Sequence, residues 1–345
     1  IETLLDHPQV TAGEHPAMAD SCFAALFHDW TALTSAPELP ATNLTESCYR
    51  ATFYGCTGLT EAPVLPATTM ARDCYLGMFA GCAALTNAPG LPATDLAETC
   101  YEYMFQDCTA LTNAPALPAT TLANNCYRGM FRNCTALKKA PALPATNLTV
   151  YCYHIMFQGC TALTTPPELP ATTLTNHCYA HMFRDCTALT KLPVLPATNL
   201  ACCCYVGMFG DCINIRLNTE GPGTPWGIPE SATAAPDWNN GMFTGTGGPF
   251  TDDPVIGVTY YLNSAPFFPA DGSLVFDGTT LTIKITNAES GLWYTLYSLD
   301  NLLEETWTKI ESLQATGSEL TFTINLGTPA EPRLFFKVVA TPEKP

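Results

Sequence analysis

Residues 126–150 read CYRGMFRNCTALKKAPALPATNLTV, and this sentence decides the fold because the chain keeps repeating it. Its second cysteine, Cys134, belongs to the series Cys56, Cys82, Cys108, Cys134, Cys160, Cys186 and Cys212, every interval being 26 residues. A partner lies eight residues earlier in each unit, at Cys48, Cys74, Cys100, Cys126, Cys152, Cys178 and Cys204. The consensus is C-Y-x-x-M-F-x-x-C-T-x-L-T-x-A-P-x-L-P-A-T-x-L-x-x-x. Cys22 opens an atypical first unit with Trp30 in the second cysteine's place, and WNNGMFTGTG from Trp238 is a degenerate last one. Atypical end units are what a stack of coils needs, because an end coil lacks a neighbour on one side.

Within a unit the apolar positions of C-Y-x-x-M-F-x-x-C fall at i, i+1, i+4, i+5 and i+8, a spacing that predicts one face of a short helix. The L-T-x-A segment alternates and suits a short strand. Two prolines three apart, such as Pro115 and Pro118, then remove ladder donors and impose a polyproline-type run. A 26-residue period with leucines at fixed places lies in the leucine-rich-repeat range. The expected fold class is an α/β leucine-rich-repeat solenoid of about nine coils, short helix plus short strand or polyproline segment, followed by an all-β immunoglobulin-like sandwich. The expected division is an N-terminal cap at 1–21, the solenoid at 22–212, a capping repeat and connector at 213–250, and the β-sandwich at 251–345.

The recurring M-F-x-x-C-x-x-L-T resembles the bacterial-surface repeats grouped as BspA-like leucine-rich repeats, over roughly residues 20–212. The resemblance implies a secreted or surface-displayed, non-enzymatic protein, often an adhesin. Pro-x-Leu-Pro and the earlier cysteine depart from the commoner version of that repeat.

The chain has 17 cysteines, an odd number. If the cysteine-bearing segment were helical, partners eight apart would be about 12 Å apart along the axis, beyond disulfide reach. Packed helices would hold equivalent positions of neighbouring coils roughly 10 Å apart. Buried thiol ladders are therefore expected over a disulfide ladder, and zinc is disfavoured because C-x-x-C is missing. Cys202 and Cys203 stand outside the ladders, with half-exposed thiols, a local bridge and an interchain bond all open.

From about Thr251 cysteine disappears and short alternating segments such as TLTIKITNA, LTFTINLG and RLFFKVVAT take over. Trp293, Tyr294, Trp307, Phe335 and Phe336 are expected to pack between strands. The 345 residues carry 31 acidic and 14 basic side chains, a net charge of −17, which excludes a basic nucleic-acid-binding face. No apolar run is long enough to span a membrane. Because it begins at Ile1 without a leader, the chain is read as a processed or trimmed form.

No phosphate loop, H-E-x-x-H or G-x-S-x-G is present, so neither an enzyme nor a cofactor is expected. His154, His177 and His181 in neighbouring coils are more readily variable surface positions than a metal cluster. Asp252, Asp253, Asp271 and Asp277 lack an EF-hand ladder. Function then has to come from surface and shape. The residues that vary while the framework repeats are Arg50, Glu102, Tyr103, Arg128, Arg132, His154, Ile155, His181 and Arg184, a candidate recognition surface for a protein or glycan ligand. The expectation is an adhesion or binding scaffold, extracellular or on the cell surface. The alternative is a structural subunit that self-associates into an extracellular fibre or surface layer through end-to-end or β-edge contacts.

Overall fold

The computed structural model describes residues 18–220 and 223–262, then residue 316 and the strands named below. The contacts divide the chain into two compact units, Ile1–Asn263 and Ser264–Pro345. The coils stack, but no helix occurs among the described residues, which overturns the expected helix-plus-strand solenoid. What replaces the helix is a ribbon of successive turns. Counting each coil from its first cysteine, the chain takes positive φ just before that cysteine and again at the fourth and eighth positions. In the coil of Cys126 these residues are Asn125 (56°), Gly129 (58°) and Asn133 (58°). An α-helix admits no left-handed residue every fourth position.

The hydrogen bonds show why this ribbon is stable. Alternate N–H groups turn inward along their own coil: Arg128, Met130, Arg132 and Cys134 each donate to the carbonyl three residues back. The intervening N–H groups of Asn125, Tyr127, Gly129, Phe131 and Asn133 donate to the carbonyls of Val150, Cys152, His154, Met156 and Gln158 in the next coil, at 2.7–3.1 Å. Every peptide group in the ribbon is thereby satisfied, half locally and half between coils. The apolar residues at the first, second, fifth, sixth and ninth positions share one side because the turns repeat every four residues, close enough to the helical period to give the same pattern.

The remainder of each coil is extended and barely hydrogen-bonded. In place of the expected short strand there are single parallel bridges, such as Glu61↔Asn87, Asn87↔Asn113 and Thr69↔Asp95. Between the two bridge positions runs Pro-x-Leu-Pro, whose prolines have no N–H to extend the pairing.

Coils bonded edge to edge stack at roughly the 4.7–4.9 Å of neighbouring strands, half the helix spacing on which the cysteine distances were reckoned. Identical side chains therefore form ladders. Nine phenylalanines, Phe27, Phe53, Phe79, Phe105, Phe131, Phe157, Phe183, Phe209 and Phe243, stack with ring centroids 5.3–5.7 Å apart. Phe23 and seven tyrosines from Tyr49 to Tyr205 make a second ladder at 5.6–6.0 Å.

All 17 cysteines are free, and the fourteen of the two ladders are buried. The second cysteine of each coil has a definite partner. Cys56, Cys82, Cys108, Cys134, Cys160, Cys186 and Cys212 donate S–H to the carbonyl of the phenylalanine 29 residues earlier, at 3.0–3.1 Å. A small apolar side chain with one weak donor suits a slot that is dry yet ends on a carbonyl.

The far end of the stack is closed by aromatic packing. Strand β1 (Asn199–Leu200) pairs in parallel with β4 (Thr233–Ala234), while β2 (Leu217–Asn218), β3 (Thr224–Trp226) and β5 (Tyr260–Leu262) form an antiparallel sheet in the order β2-β5-β3. Buried Trp226 meets the Phe243 ring edge-on at 5.3 Å and donates Nε1–H to the Pro193 carbonyl at 3.0 Å. Phe250 and Tyr260 complete this plug, with centroids 4.5 Å apart. The first unit thus continues past Thr251, where the composition changes.

The second unit contains β6 (Leu274–Phe276), β7 (Thr280–Thr286), β8 (Trp293–Leu299), β9 (Thr308–Gln314), β10 (Glu319–Asn325) and β11 (Phe335–Thr341). They form two three-stranded antiparallel sheets, β10-β7-β6 and β11-β8-β9. The immunoglobulin-like sandwich expected here is not shown: strands pair within each sheet, Phe322 buried opposite buried Ile283, and no closed or face-to-face arrangement is described. The side chains of Trp293, Tyr294, Phe335 and Phe336, and Trp307, Asp271 and Asp277 altogether, lie outside the described residues.

Candidate functional site

The turn ribbon presents its third, fourth and seventh positions, together with the residue preceding each first cysteine, on the side away from the aromatic ladders. At 4.7–4.9 Å per coil, four successive coils bring together residues that are 26 apart in sequence. Glu102 and Arg128 occupy the third position of adjacent coils and pair at 3.2 Å, Glu102 being only 8% exposed. Burial pushes the Glu102 carboxyl up, and the Arg128 charge and hydrogen bond only partly offset it. The Arg128 guanidinium lies between two rings, its Cζ 5.6 Å from the Tyr103 centroid and 5.8 Å from that of Tyr151.

The patch continues into the next coils. Tyr151 stacks on His177 at 4.6 Å and meets His154 edge-on at 5.3 Å; His154 in turn meets His181 edge-on at 6.0 Å. Burial, reinforced by the Arg128 charge and the two other histidines, lowers the His154 pKa to about 3, so its ring is neutral at physiological pH. Burial lowers His181 as well. Among the described residues, Nδ1 of His154 and Nε of Arg128 and Arg132 are buried without a hydrogen-bond partner. Half-buried rings and a flanked guanidinium supply the stacking and charged groups of a recognition surface.

Of the candidates expected from sequence variation, the structure joins Glu102, Tyr103, Arg128, His154 and His181 in one patch. Ile155 is buried at φ 50°, against Gly129. Arg132 is half-buried in the same coil as Arg128. Arg184 pairs outside the patch with Asp211 at 3.1 Å and Asp185 at 3.7 Å, and Arg50 is exposed two coils before Glu102. Two members were absent from that set, Tyr151 and His177. They precede the first cysteine, a position whose occupants Ser47, Asp73, Thr99 and Asn125 look like ordinary linker residues. No group of three or more His, Cys, Asp or Glu among the described residues is placed to hold a metal ion. Asp252 and Asp253 are exposed, and Asp253 accepts the Met242 N–H at 3.0 Å.

Tyr103 has its place because its neighbour is small. Gly129, at φ 58°, lies under the Tyr103 ring, and an added Cβ would collide with that ring. Gly129→Ala is expected to cost about 2–5 kcal/mol, roughly 1–2 from the left-handed backbone and about 1–3 from overpacking. In a Tyr103→Ala background only the backbone part should remain. Urea unfolding of the four proteins closes the cycle, and an undiminished cost in that background would refute the ring contact.

No family model, curated protein or solved structure matches the chain. No helix of the described residues is long and apolar enough to cross a membrane.

Proposed function

We propose that the protein is a non-enzymatic binding scaffold, displayed outside the cell, that holds a protein or glycan ligand on the patch formed by Tyr103, Arg128, Tyr151, His154, His177 and His181. The observation that carries this reading is the flanking of Arg128 by two tyrosines from different coils, beside the packed rings of His154 and His177. Aromatic rings and arginine are the groups that most often dominate binding energy at interfaces. The rigid stack beneath them holds the patch in one arrangement, which lowers the ordering cost of binding. The M-F-x-x-C repeat and its likeness to surface-displayed repeats support placement outside the cell.

The test is a screen of glycans, mucins and host-surface proteins against the native protein and a Tyr151→Ala/His177→Ala variant. Both side chains are only half-buried, so the fold should tolerate their loss. A specific ligand should lose about 30-fold or more in affinity, the arithmetic of a 2 kcal/mol hot spot. Ligands that bind both proteins equally would place recognition elsewhere.

Self-association into a fibre is supported by a different observation. The N–H groups of Asn239, Gly241, Phe243 and Gly245 in the last coil occupy the donor positions that earlier coils pair with their successors, and they have no backbone acceptor among the described residues. Light scattering on purified protein tests it; a monomer at all concentrations would remove this reading.

A further inference from the structure

Cys202 and Cys203 differ from the fourteen ladder cysteines in every structural respect. They are half-buried where the ladder thiols are fully buried. Their sulfurs lie 3.0 Å apart, in contact across one peptide bond. Cys203 holds φ 57°, and Cys202 occupies a place that other coils fill with Glu46, Arg72, Glu98, Asn124 or Asn176.

A second observation concerns the peptide that joins them. In each earlier coil the residue preceding the first cysteine donates its N–H to the following coil, as in Asp73 to Glu98, Asn125 to Val150 and His177 to Cys202. At Cys203 this column stops: the loop inserted before Trp238 places Pro236 in the next position, and the Cys203 N–H has no backbone acceptor among the described residues. The Cys202–Cys203 peptide is held only through its carbonyl, by the His177 N–H at 3.2 Å. It is therefore held on one side only, unlike the interior links of the column, which are held on both.

We propose that Cys202 and Cys203 form a redox modification site, closing reversibly into a vicinal disulfide by exchange with a small-molecule disulfide of the glutathione type. The sulfurs need to approach by about 1 Å to reach the roughly 2.0 Å of a disulfide bond. The Cys202 thiolate attacks one sulfur of the small disulfide, forming a mixed disulfide and expelling one small thiolate. Cys203, after giving up its proton, attacks the Cys202 sulfur, forms the Cys202–Cys203 bond and expels the second small thiolate. Two protein thiols are oxidised, one small disulfide is reduced to two thiols, and two electrons are transferred. Hydrogen bonding to Cys202, the largest influence, pushes the Cys203 thiol up to about 11. The ladder thiols do not compete, since burial excludes the oxidant and pushes Cys160 and Cys178 up to about 12.

The experiment treats native full-length protein with oxidised glutathione, denatures it, alkylates the remaining thiols and locates them by peptide mass spectrometry. The expected result is that the fourteen buried ladder cysteines are alkylated and Cys202 and Cys203 are not, with the peptide spanning Cys202 and Cys203 lighter by two hydrogens and restored by reductant. The Cys203→Ser protein should instead retain one glutathione on Cys202. Alkylation of Cys202 and Cys203 in the wild-type protein, a persistent glutathione adduct on either of them, or prior loss of ladder thiols would each overturn the assignment, as would a Cys203→Ser protein that takes up no adduct on Cys202.

Discussion

Raising the pH above about 9 is expected to unfold the coil array, because its core is lined with groups that must stay protonated. A thiol whose folded pKa lies above its unfolded value keeps its proton in the native state and releases it on unfolding. Stability is then fully present below the unfolded pKa and falls as pH rises toward the folded one. Burial pushes Cys82, Cys126, Cys160, Cys178 and Cys212 up to about 12, from the ordinary thiol value of 9.0. One unit above the ordinary pKa each such thiol costs about 1.4 kcal/mol. Five together approach about 7 kcal/mol, against a total stability of about 5–15 kcal/mol for a typical protein. Burial raises Tyr75, Tyr127, Tyr153, Tyr179 and Tyr205 as well, so the tyrosine ladder acts in the same direction. A pH titration followed by tyrosinate absorbance and near-UV circular dichroism checks this. Seven of the 14 tyrosines lie in the ladder, and exposed ones such as Tyr54 ionise first. The later part of the tyrosinate signal should therefore rise together with the loss of near-UV signal; ionisation of every tyrosine near pH 10 while the fold persists would show that the ladders are not sealed.

The second large effect is local. Phe131→Ala in the middle of the phenylalanine ladder should cost about 3–5 kcal/mol for the cavity alone. Its ring also stacks at 5.7 Å on both Phe105 and Phe157, and each stack adds about 0.5–1.5 kcal/mol. Phe27→Ala at the first coil should cost clearly less: that residue is 8% exposed and has a single ladder neighbour, Phe53. Because each coil touches only its neighbours, the Phe131 change should also lower hydrogen-exchange protection most in the adjacent coils. Equal losses for the two variants in urea unfolding would contradict a ladder whose strength comes from two-sided contact.

The period and the buried positions were legible in the sequence, since repeated cysteine, tyrosine, methionine and phenylalanine can only line one side of a stacked coil. The local conformation was not. Apolar residues at i, i+1, i+4, i+5 and i+8 fit a helix of 3.6 residues per turn and a ribbon that turns every four residues about equally well. A discriminating signal lies at the eighth position, occupied by Asp29, Gly55, Gly81, Asp107, Asn133, Gly159, Asp185, Asp211 and Gly245, all with positive φ. Glycine, asparagine and aspartate are the residues that tolerate that region best. The same misreading set the coils twice too far apart, so the contact between Arg128 and rings one coil to either side was invisible. In the second unit the alternation of TLTIKITNA and LTFTINLG indicated strands, but alternation says nothing of which sheet each strand joins.

The hydrogen bonds between coils carry an electrical consequence. The Cys126–Tyr127 peptide, for example, accepts from the Tyr101 N–H of the coil before and donates to the Cys152 carbonyl of the coil after. Such columns are peptides joined head to tail, all pointing the same way along the stack, as in an α-helix, though here the N–H groups point toward the C-terminal coil. Aligned peptide dipoles sum to partial charges at the ends of a column. The turn ribbon therefore has a negative pole at its first coil and a positive pole at its last, the reverse of a helix. Asp237, Asp252 and Asp253 are exposed at that positive pole. An acidic chain with a built-in axial polarity should orient in an electric field, and transient electric birefringence would read that orientation directly.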